Sequence, residues 1–480
     1  MCEKMNKKWN IYILLIVAIL FVTIFSYTTS PLYCNYGNTP DSPIFQIIGK
    51  YWAKGVIPYK DLWDLKGPYI FFVNAIGYKI VGTKIGVYSI QIISLFFTLL
   101  IIYKSFTLHF AFKNAFFFTL LSLAGLSYIY EGGNLTEEFI LFPLSLSFYY
   151  IIKWINEYEN KLNIYHPPLH SLIYGIVLGL SLMSRLTNAL SLCAAVAVIT
   201  FVLVIHKEYK NLIINVFAFV VGFAITTFPF ILYFYYQDAL NDMWNATFLF
   251  ALKYAGNAQL NLSEIGIHYF LLSYLNSLFL IFIALFLFFN KKIITIRISL
   301  YFLSAVIPFL WFCHGNGFGH YGMIVYPLFV WIIVEIYSKK HKFIFILFSI
   351  VIIIGAFSKL RFMYVIYHFD NKEVAEYRHF LKNVSNINYN SFAAYNCDPN
   401  IYLAENICPD IPIFSLQEMG KSRIPEWTIF IQMKILKKQP EWLLVSRNID
   451  NNLIIQPILD DNYKIVRIDS YNKLELYKRK

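Results

Sequence analysis

Long apolar runs separated by short polar connections occupy most of the first 360 residues. A helix needs about 20 mainly apolar residues to cross a bilayer, because hydrocarbon offers exposed backbone groups no partner. By this rule the pattern predicts about eleven transmembrane helices. The predicted spans are residues 11–27, 85–104, two stretches ending at 128 and 153, and then 171–184, 188–205, 213–233, 268–289, 298–312, 321–337 and 343–357. Residues 69–81 are apolar but short, which predicts a segment lying along the membrane interface.

Basic residues recur at every second connection between these spans. Lys4, Lys7 and Lys8 precede the first span, and no A-x-A cleavage site follows it, so we expect a retained helix. Cytoplasmic loops carry the excess of Lys and Arg in membrane proteins. The pattern therefore predicts a multi-pass protein of the cytoplasmic membrane, with a cytoplasmic N-terminus and, because the number of spans is odd, a C-terminal part outside.

The composition changes from about residue 359, where Asp, Asn, Glu and Pro become frequent. Periodicity predicts helices at 374–384 and 428–436, and strands at 392–395, 411–414, 442–446, 465–468 and 474–477. We therefore predict a transmembrane domain over 1–358, with a first outside loop at 31–69, and a small extracytoplasmic α/β domain over 359–480. Neither a G-x-G-x-x-G motif nor a P-loop supports nucleotide binding.

The composition excludes several protein classes. With 58% hydrophobic residues, 14% charged residues and a mean hydropathy of +0.55, the chain has more apolar surface than one soluble core could bury. The net charge is +12, but the Lys and Arg residues that cause it cluster in the connections between spans, so nucleic-acid binding is not expected. A disulfide between Cys397 and Cys408 stays open if they lie outside. The other cysteines, which we expect to be free thiols, are Cys2, Cys34, Cys193 and Cys313.

Charged residues concentrate on the predicted outer face. The first loop carries Asp41, Asp61, Asp64 and Lys66 within about thirty residues. Ionisable groups beside a bilayer are costly unless paired or solvated, so such a concentration predicts a functional site. The remaining polar candidates on this face are Glu131, Glu137, Glu138, Arg185, His314 and His320.

Chemistry outside the cytoplasmic membrane has no supply of ATP or nucleotide sugars, so an activated sugar would arrive on a lipid phosphate. Displacing that phosphate needs a carboxylate to take the proton of the acceptor hydroxyl and cations on the departing phosphate. Asp41 as the base, with Lys66, Arg185 and His320 as cations, meets this need. The phosphate leaves unprotonated, so a second acid of the glycosidase kind is not required.

Each candidate also has a structural explanation that the sequence leaves open. Asp41 follows Pro40 and suits the N-cap of a helix running to Trp52. His314 and His320 lack H-x-x-x-H spacing, so a metal site is not expected. The other candidates suit loop ion pairs, interface anchors or acids at a helix N-terminus: Asp61, Asp64, Lys66, Glu137, Glu138 and Arg185.

The first loop resembles a known pattern. Asp41-Ser42 is followed by residues 55–64 (GVIPYKDLWD) and 66–68 (KGP), and this order is similar to that of the GT-C membrane glycosyltransferases, in the branch of the aminoarabinose and protein O-mannosyl transferases. Several members have Glu where this chain has Ser42, a second Pro where it has Gly67, and Lys where it has Arg185. Weaker similarities cover residues 132–139 (GGNLTEEF), 184–190 (SRLTNAL) and 319–327 (GHYGMIVYP).

This resemblance implies a GT-C-like fold and an inverting glycosyltransferase that uses a polyprenyl-phosphate sugar. It implies Asp41 as the catalytic base and Lys66, with Arg185 and His320, as contacts to the donor phosphate. The acceptor would be a lipid, a glycan or a protein, and no cofactor is expected. The residues expected to shape the sugar and acceptor pocket are Tyr59, Asp61, Asp64, Glu137, Glu138 and Tyr321.

Two other classes stay open. A transporter or glycolipid flippase would place charges near the bilayer centre and break paired spans with Gly or Pro, and such features are scarce here. A non-catalytic membrane assembly factor would carry charged outer loops that do not converge. Transfer of sugar from a lipid phosphate would separate the enzyme from both.

Overall fold

The computed structural model describes the backbone of most of the chain. The described residues are 2–33, 41–161, 163–256, 266–291, 295–314, 317–338, 341–368, 372–415, 417–418, 427–448, 450–469 and 473–480. Cys34 and Pro40 lie outside the described residues, and so do the side chains of Cys2, Lys4, Lys7 and Lys8.

Helices make up most of the described chain. In order they are α1 (Cys2–Phe25), α2 (Asp41–Trp52), α3 (Pro68–Val81), α4 (Lys84–Thr107), α5 (Phe112–Ile129), α6 (Leu141–Lys161), α7 (Pro168–Leu182), α8 (Leu190–Ile205), α9 (Tyr209–Tyr236), α10 (Leu240–Trp244), α11 (Ala251–Gly256), α12 (Ile267–Ser273), α13 (Leu275–Lys291), α14 (Ile296–Cys313), α15 (Phe329–Ser338), α16 (Lys342–Tyr367), α17 (Lys372–Lys382), α18 (Asn400–Ala404), α19 (Trp427–Lys438) and α20 (Gln456–Asn462). The strands are β1 (Phe392–Tyr395), β2 (Trp442–Ser446), β3 (Tyr463–Ile468) and β4 (Leu474–Arg479).

The chain is a multi-pass helical membrane protein. Among the described residues, eight helical segments are long and apolar enough to cross a bilayer, and shorter apolar helices accompany them. Each predicted span overlaps a described helix. The predicted span 268–289 is interrupted at Tyr274, between α12 and α13. The span predicted at 321–337 begins as a 3₁₀ helix, Gly319–Leu328, before it continues as α15.

Residues 69–81, expected at the interface, form the helix α3, whose ends follow from local sequence. Pro68 occupies its first turn, where a fixed φ suits a helix and no N–H is needed. Gly82 ends it with φ of 78°, a left-handed conformation in which glycine is favoured.

Contacts between Cα atoms divide the chain into two compact units. The first, which we call the helical unit, comprises Met1–Leu32, Tyr88–Ile231 and Gln259–Tyr367. The second, the mixed unit, comprises Tyr33–Val87, Leu232–Ala258 and His368–Lys480, and so joins the first loop to the C-terminal sheet. The boundary predicted between residues 358 and 359 stays a prediction.

Within the helical unit, α7 and α9 approach each other closely. A Cβ atom at Gly175 would lie 1.9 Å from the carbonyl oxygen of Phe219, and one at Gly222 would lie 2.0 Å from that of Leu172. Any side chain at either position would push the backbones apart. Small residues therefore set this contact, as is common between membrane helices.

The mixed unit contains a four-stranded sheet in the order β1-β2-β4-β3. β1 and β2 are parallel, and the other pairs are antiparallel. The predicted strand at 411–414 is wrong: this buried stretch is irregular, because Pro412 lacks the N–H that a ladder needs. Cys397 and Cys408 are both free cysteines, so the disulfide that the sequence left open is absent.

Candidate functional site

Tyr59 organises the first loop in the mixed unit. Its φ of 69° is left-handed, and its N–H donates to the carbonyl of Leu62 at 2.6 Å. Its hydroxyl donates to the carbonyl of Lys66 at 2.7 Å. The ring is fully buried, with Phe71 and Phe234 at centroid distances of 5.9 and 5.3 Å. The predicted pocket residue Tyr59 therefore fixes the path of the backbone that carries the loop's acids.

Trp63 fastens the same loop to the C-terminal part of the mixed unit. Its backbone N–H donates to the carbonyl of Pro412 at 2.7 Å. Its ring lies 5.4 Å from that of Phe250 and 5.6 Å from that of Phe430. We assigned Trp63 no role from the sequence, although it lies inside the recognised motif. Only its place in the motif could have pointed to Trp63, because the residues that it contacts lie far away along the chain.

Asp61 and Asp64 each stabilise a turn of this loop. The Asp61 carboxylate accepts a hydrogen bond from the Ile57 N–H at 2.9 Å, and that of Asp64 accepts one from the Lys66 N–H at 2.8 Å. Such side-chain to backbone bonds are typical of turn aspartates. Their proposed contribution to a sugar pocket stays a prediction.

Asp64 lies close enough to both Asp41 and Lys66 for their charges to influence it. Burial raises the pKa of Asp64 to about 6, the Lys66 charge and N–H act in the opposite direction, and the Asp41 charge adds to the rise. Asp41 is the first residue of α2, where a helix favours negative charge. The structure thus brings the predicted base and the predicted phosphate-contacting lysine into one cluster, and their roles stay predictions.

We expect Asp64→Asn to remove a pH-dependent loss of stability. The folded protein keeps a proton on Asp64 that the unfolded chain releases between the ordinary pKa of 3.8 and the raised value of about 6. Stability conferred by this site therefore falls as pH rises through that window. Asparagine keeps an oxygen for the Lys66 N–H and carries no charge.

Thermal unfolding of both proteins in one detergent, between about pH 4 and about pH 8, measures this effect. The variant should gain stability relative to the wild type as pH rises and then level off. A stability difference that does not change with pH would contradict the assignment.

In the helical unit, Glu138 lies in a buried network of hydrogen-bond donors. Gln91 Nε2 donates to its two carboxylate oxygens at 3.1 and 2.9 Å, and the Asn134 N–H donates to Oε2 at 2.8 Å. The Tyr130 hydroxyl also donates to Oε1. These partners hold the loop ahead of α6. The predicted pocket role of Glu138 stays a prediction, and Gln91 and Tyr130 are partners that spacing along the sequence did not reveal.

Glu137 and Tyr321 hold Arg185. Arg185 Nη1 donates to Glu137 Oε1 at 3.0 Å, and Thr136 donates to the other oxygen at 2.8 Å. The guanidinium carbon lies 3.4 Å from the centre of the Tyr321 ring. Glu137 is buried, while about a fifth of the Arg185 side chain is exposed. Three predicted site residues therefore form one contiguous group.

His320 is paired with Glu131, which in turn accepts from the Tyr269 hydroxyl. The His320 ring also packs edge-on against Tyr321, with centroids 4.5 Å apart. Burial would raise the pKa of Glu131, but the charge and hydrogen bond of His320 outweigh it and lower that pKa to about 2. Through Tyr321, the His320 pair joins the Arg185 group within the helical unit.

Comparison with solved structures identifies the fold. Over 97% of each chain, the protein superposes on ArnT from Cupriavidus metallidurans with a TM-score of 0.60 and 13% identity for the apo state. For ArnT bound to undecaprenyl phosphate, the TM-score is 0.59 and the identity 12% over the same shares. The chain has a GT-C-like fold. No protein-family model matches the sequence, and no curated protein matches it significantly.

The GT-C-like fold thus carries two groups of predicted site residues, each described within its own unit. The mixed unit holds Tyr59, Asp61, Asp64, Lys66 and Asp41, and the helical unit holds the others. Missed by sequence reasoning in the helical unit are Gln91, Tyr130 and Tyr269. Within the described part of this GT-C-like chain, no group of three or more His, Cys, Asp or Glu is placed to hold a metal ion. The expectation about metal dependence stays a prediction.

Proposed function

We propose that this protein is an inverting glycosyltransferase that moves a sugar from a polyprenyl phosphate to an acceptor on the outer face of the cytoplasmic membrane. The GT-C-like fold and the motif in the first loop support this proposal together. The observation that carries it is that Asp64 lies within electrostatic reach of both Asp41 and Lys66, in a loop that Tyr59 and Trp63 hold in place.

Each proposed residue has a chemical task. Asp41 takes the proton of the acceptor hydroxyl as that oxygen attacks the anomeric carbon. Lys66, Arg185 and His320 contact the phosphate and stabilise the charge that it gains on leaving. Because the acceptor attacks opposite the leaving phosphate, the anomeric configuration inverts. Tyr59, Asp61, Asp64, Glu137, Glu138 and Tyr321 are proposed to shape the sugar and acceptor pocket.

Purified protein incubated with short-chain polyprenyl-phosphate sugars tests the proposal. Release of free polyprenyl phosphate, with the sugar recovered on an acceptor in inverted configuration, would support it. Movement of the lipid-linked sugar across a vesicle membrane without release would instead indicate a transporter or flippase. Neither release nor movement over a panel of donors would favour an assembly factor.

Lys66 offers a side chain that can be changed without breaking its loop. Its backbone N–H and carbonyl make the contacts with Asp64 and Tyr59, so these contacts remain when the side chain is replaced. We expect Lys66→Met to lower the rate of transfer by about 10²-fold, because one charge opposite the departing phosphate is lost. Lys66→Arg, which keeps the charge, should retain more activity. Equal rates for the wild type and Lys66→Met would exclude the phosphate role.

A further inference from the structure

The helix α19 exposes an apolar face on the side away from its own core. Ile431 and Ile435 are fully buried in the mixed unit. Ile429, Met433 and Leu436 are instead 62%, 66% and 43% exposed. Their spacing of four and then three residues places them on one face of the helix. We call these three residues the apolar stripe.

A second amphipathic segment, residues 240–256, packs beside α19. The Phe250 ring lies 5.0 Å from that of Phe430, and Asp242 pairs with Lys434 at 3.9 Å. These contacts fix α19 against the segment. The segment also has large exposed apolar side chains, which are Trp244 at 52%, Leu249 at 49% and Leu252 at 70%.

The position of this segment along the chain puts it at the level of the membrane surface. The preceding helix α9 has 28 residues, is apolar enough to cross a bilayer, and at about 42 Å is longer than a hydrocarbon core of about 30 Å. It ends with Tyr235 and Tyr236, 66% and 77% exposed, and such aromatic residues favour the membrane interface. Leu240 follows within about 14 Å of extended chain.

We infer that the apolar stripe of α19 and the exposed side chains of residues 240–256 insert into the headgroup region of the bilayer. The exposed apolar residues of these two adjoining helical segments form one patch, and exposing such a patch to water is unfavourable. Lys437, exposed at the edge of the stripe, suits the polar boundary of an interfacial helix. Continuity with α9 favours lipid over a protein partner as the occupant.

This contact has a consequence for the first loop. Trp63 packs on both Phe250 and Phe430, so a bilayer contact made by these two segments also holds the first loop near the lipid headgroups. Contact of this surface with lipid does not depend on the proposed transfer reaction.

Photo-crosslinking in lipid nanodiscs tests the inference on the full-length protein. The photoreactive amino acid p-benzoylphenylalanine is placed at Met433, and in a matched control at Val466, which is 43% exposed on the edge strand β3. Mass spectrometry of the peptides then measures lipid adducts. We expect at least about tenfold more lipid adduct at position 433, because only that side chain reaches the boundary between headgroups and acyl chains.

A second variant makes the test sharper. Leu436→Asp in the protein labelled at position 433 should reduce the lipid adduct several-fold, because a charge in the stripe opposes insertion, while the melting temperature stays unchanged at this exposed site. Equal lipid adducts at positions 433 and 466 would overturn the inference. Adducts at position 433 that join two copies of the chain instead of lipid would also overturn it and indicate a self-association surface.

Discussion

Transfer of sugar should fall by about 10²- to 10⁴-fold when Asp41 is replaced by Asn. The amide has nearly the shape of the carboxylate but cannot take the proton of an attacking hydroxyl. It also keeps a side-chain oxygen that can cap the first turn of α2, which begins at this residue. The substitution therefore removes the ability to accept a proton and keeps the ability to cap the helix. The measurement is the initial rate of polyprenyl phosphate release with donor and acceptor in excess.

Two controls separate chemistry from folding for Asp41. Asp461→Asn changes an exposed acid of the same unit in the same way and should leave the rate unchanged. The melting temperature of Asp41→Asn should stay close to that of the wild type. Near-normal transfer by a folded Asp41→Asn protein would remove Asp41 from the role of base. Loss of transfer together with loss of folding would show that the fold depends on the charge of Asp41, and would give no support to its role as base.

The transmembrane helices were predictable because hydrocarbon imposes a simple length and polarity rule on the chain. The same rule does not predict interruptions of the helix within a span. The interruption at Tyr274, between α12 and α13, occurs without a proline or glycine at that position. The prediction of a strand at 411–414 was wrong because burial alone does not make a strand. These residues are buried as in a strand, but the Pro412 carbonyl accepts a hydrogen bond from the Trp63 N–H and the stretch does not join the sheet.

The candidate site was predictable as a set of residues and only partly as a set of contacts. The motif in the first loop located Asp61, Asp64 and Lys66, whose hydrogen bonds are local in sequence. Contacts between distant segments, such as that of Gln91 with Glu138, leave no periodic signal in a single sequence. Sequence reasoning therefore located Glu138 without its hydrogen-bond partners.

Replacing Glu137 with Ala should lower the free energy of unfolding by about 3 kcal/mol. The substitution leaves the Arg185 guanidinium, held against the Tyr321 ring, without its carboxylate partner. Leaving a mostly buried charge unpaired costs more free energy than the ion pair contributed. About a fifth of the Arg185 side chain is exposed, so we expect a cost at the low end of the usual range. Thermal or denaturant unfolding in detergent measures the change.

A double-mutant cycle identifies the unpaired charge as the cause. The cycle comprises Glu137→Leu, Arg185→Met and the double variant, in which both charges are replaced by apolar side chains. Each single variant leaves one charge unpaired, and we expect the double variant to recover most of the lost stability. Glu137→Gln, which still offers an oxygen to Arg185 Nη1, should be intermediate. If the double variant is as unstable as the sum of the single variants, the pair is not energetically coupled. Recovery of stability without transfer in the double variant would then show that the reaction needs at least one of these two charged side chains in addition to the fold.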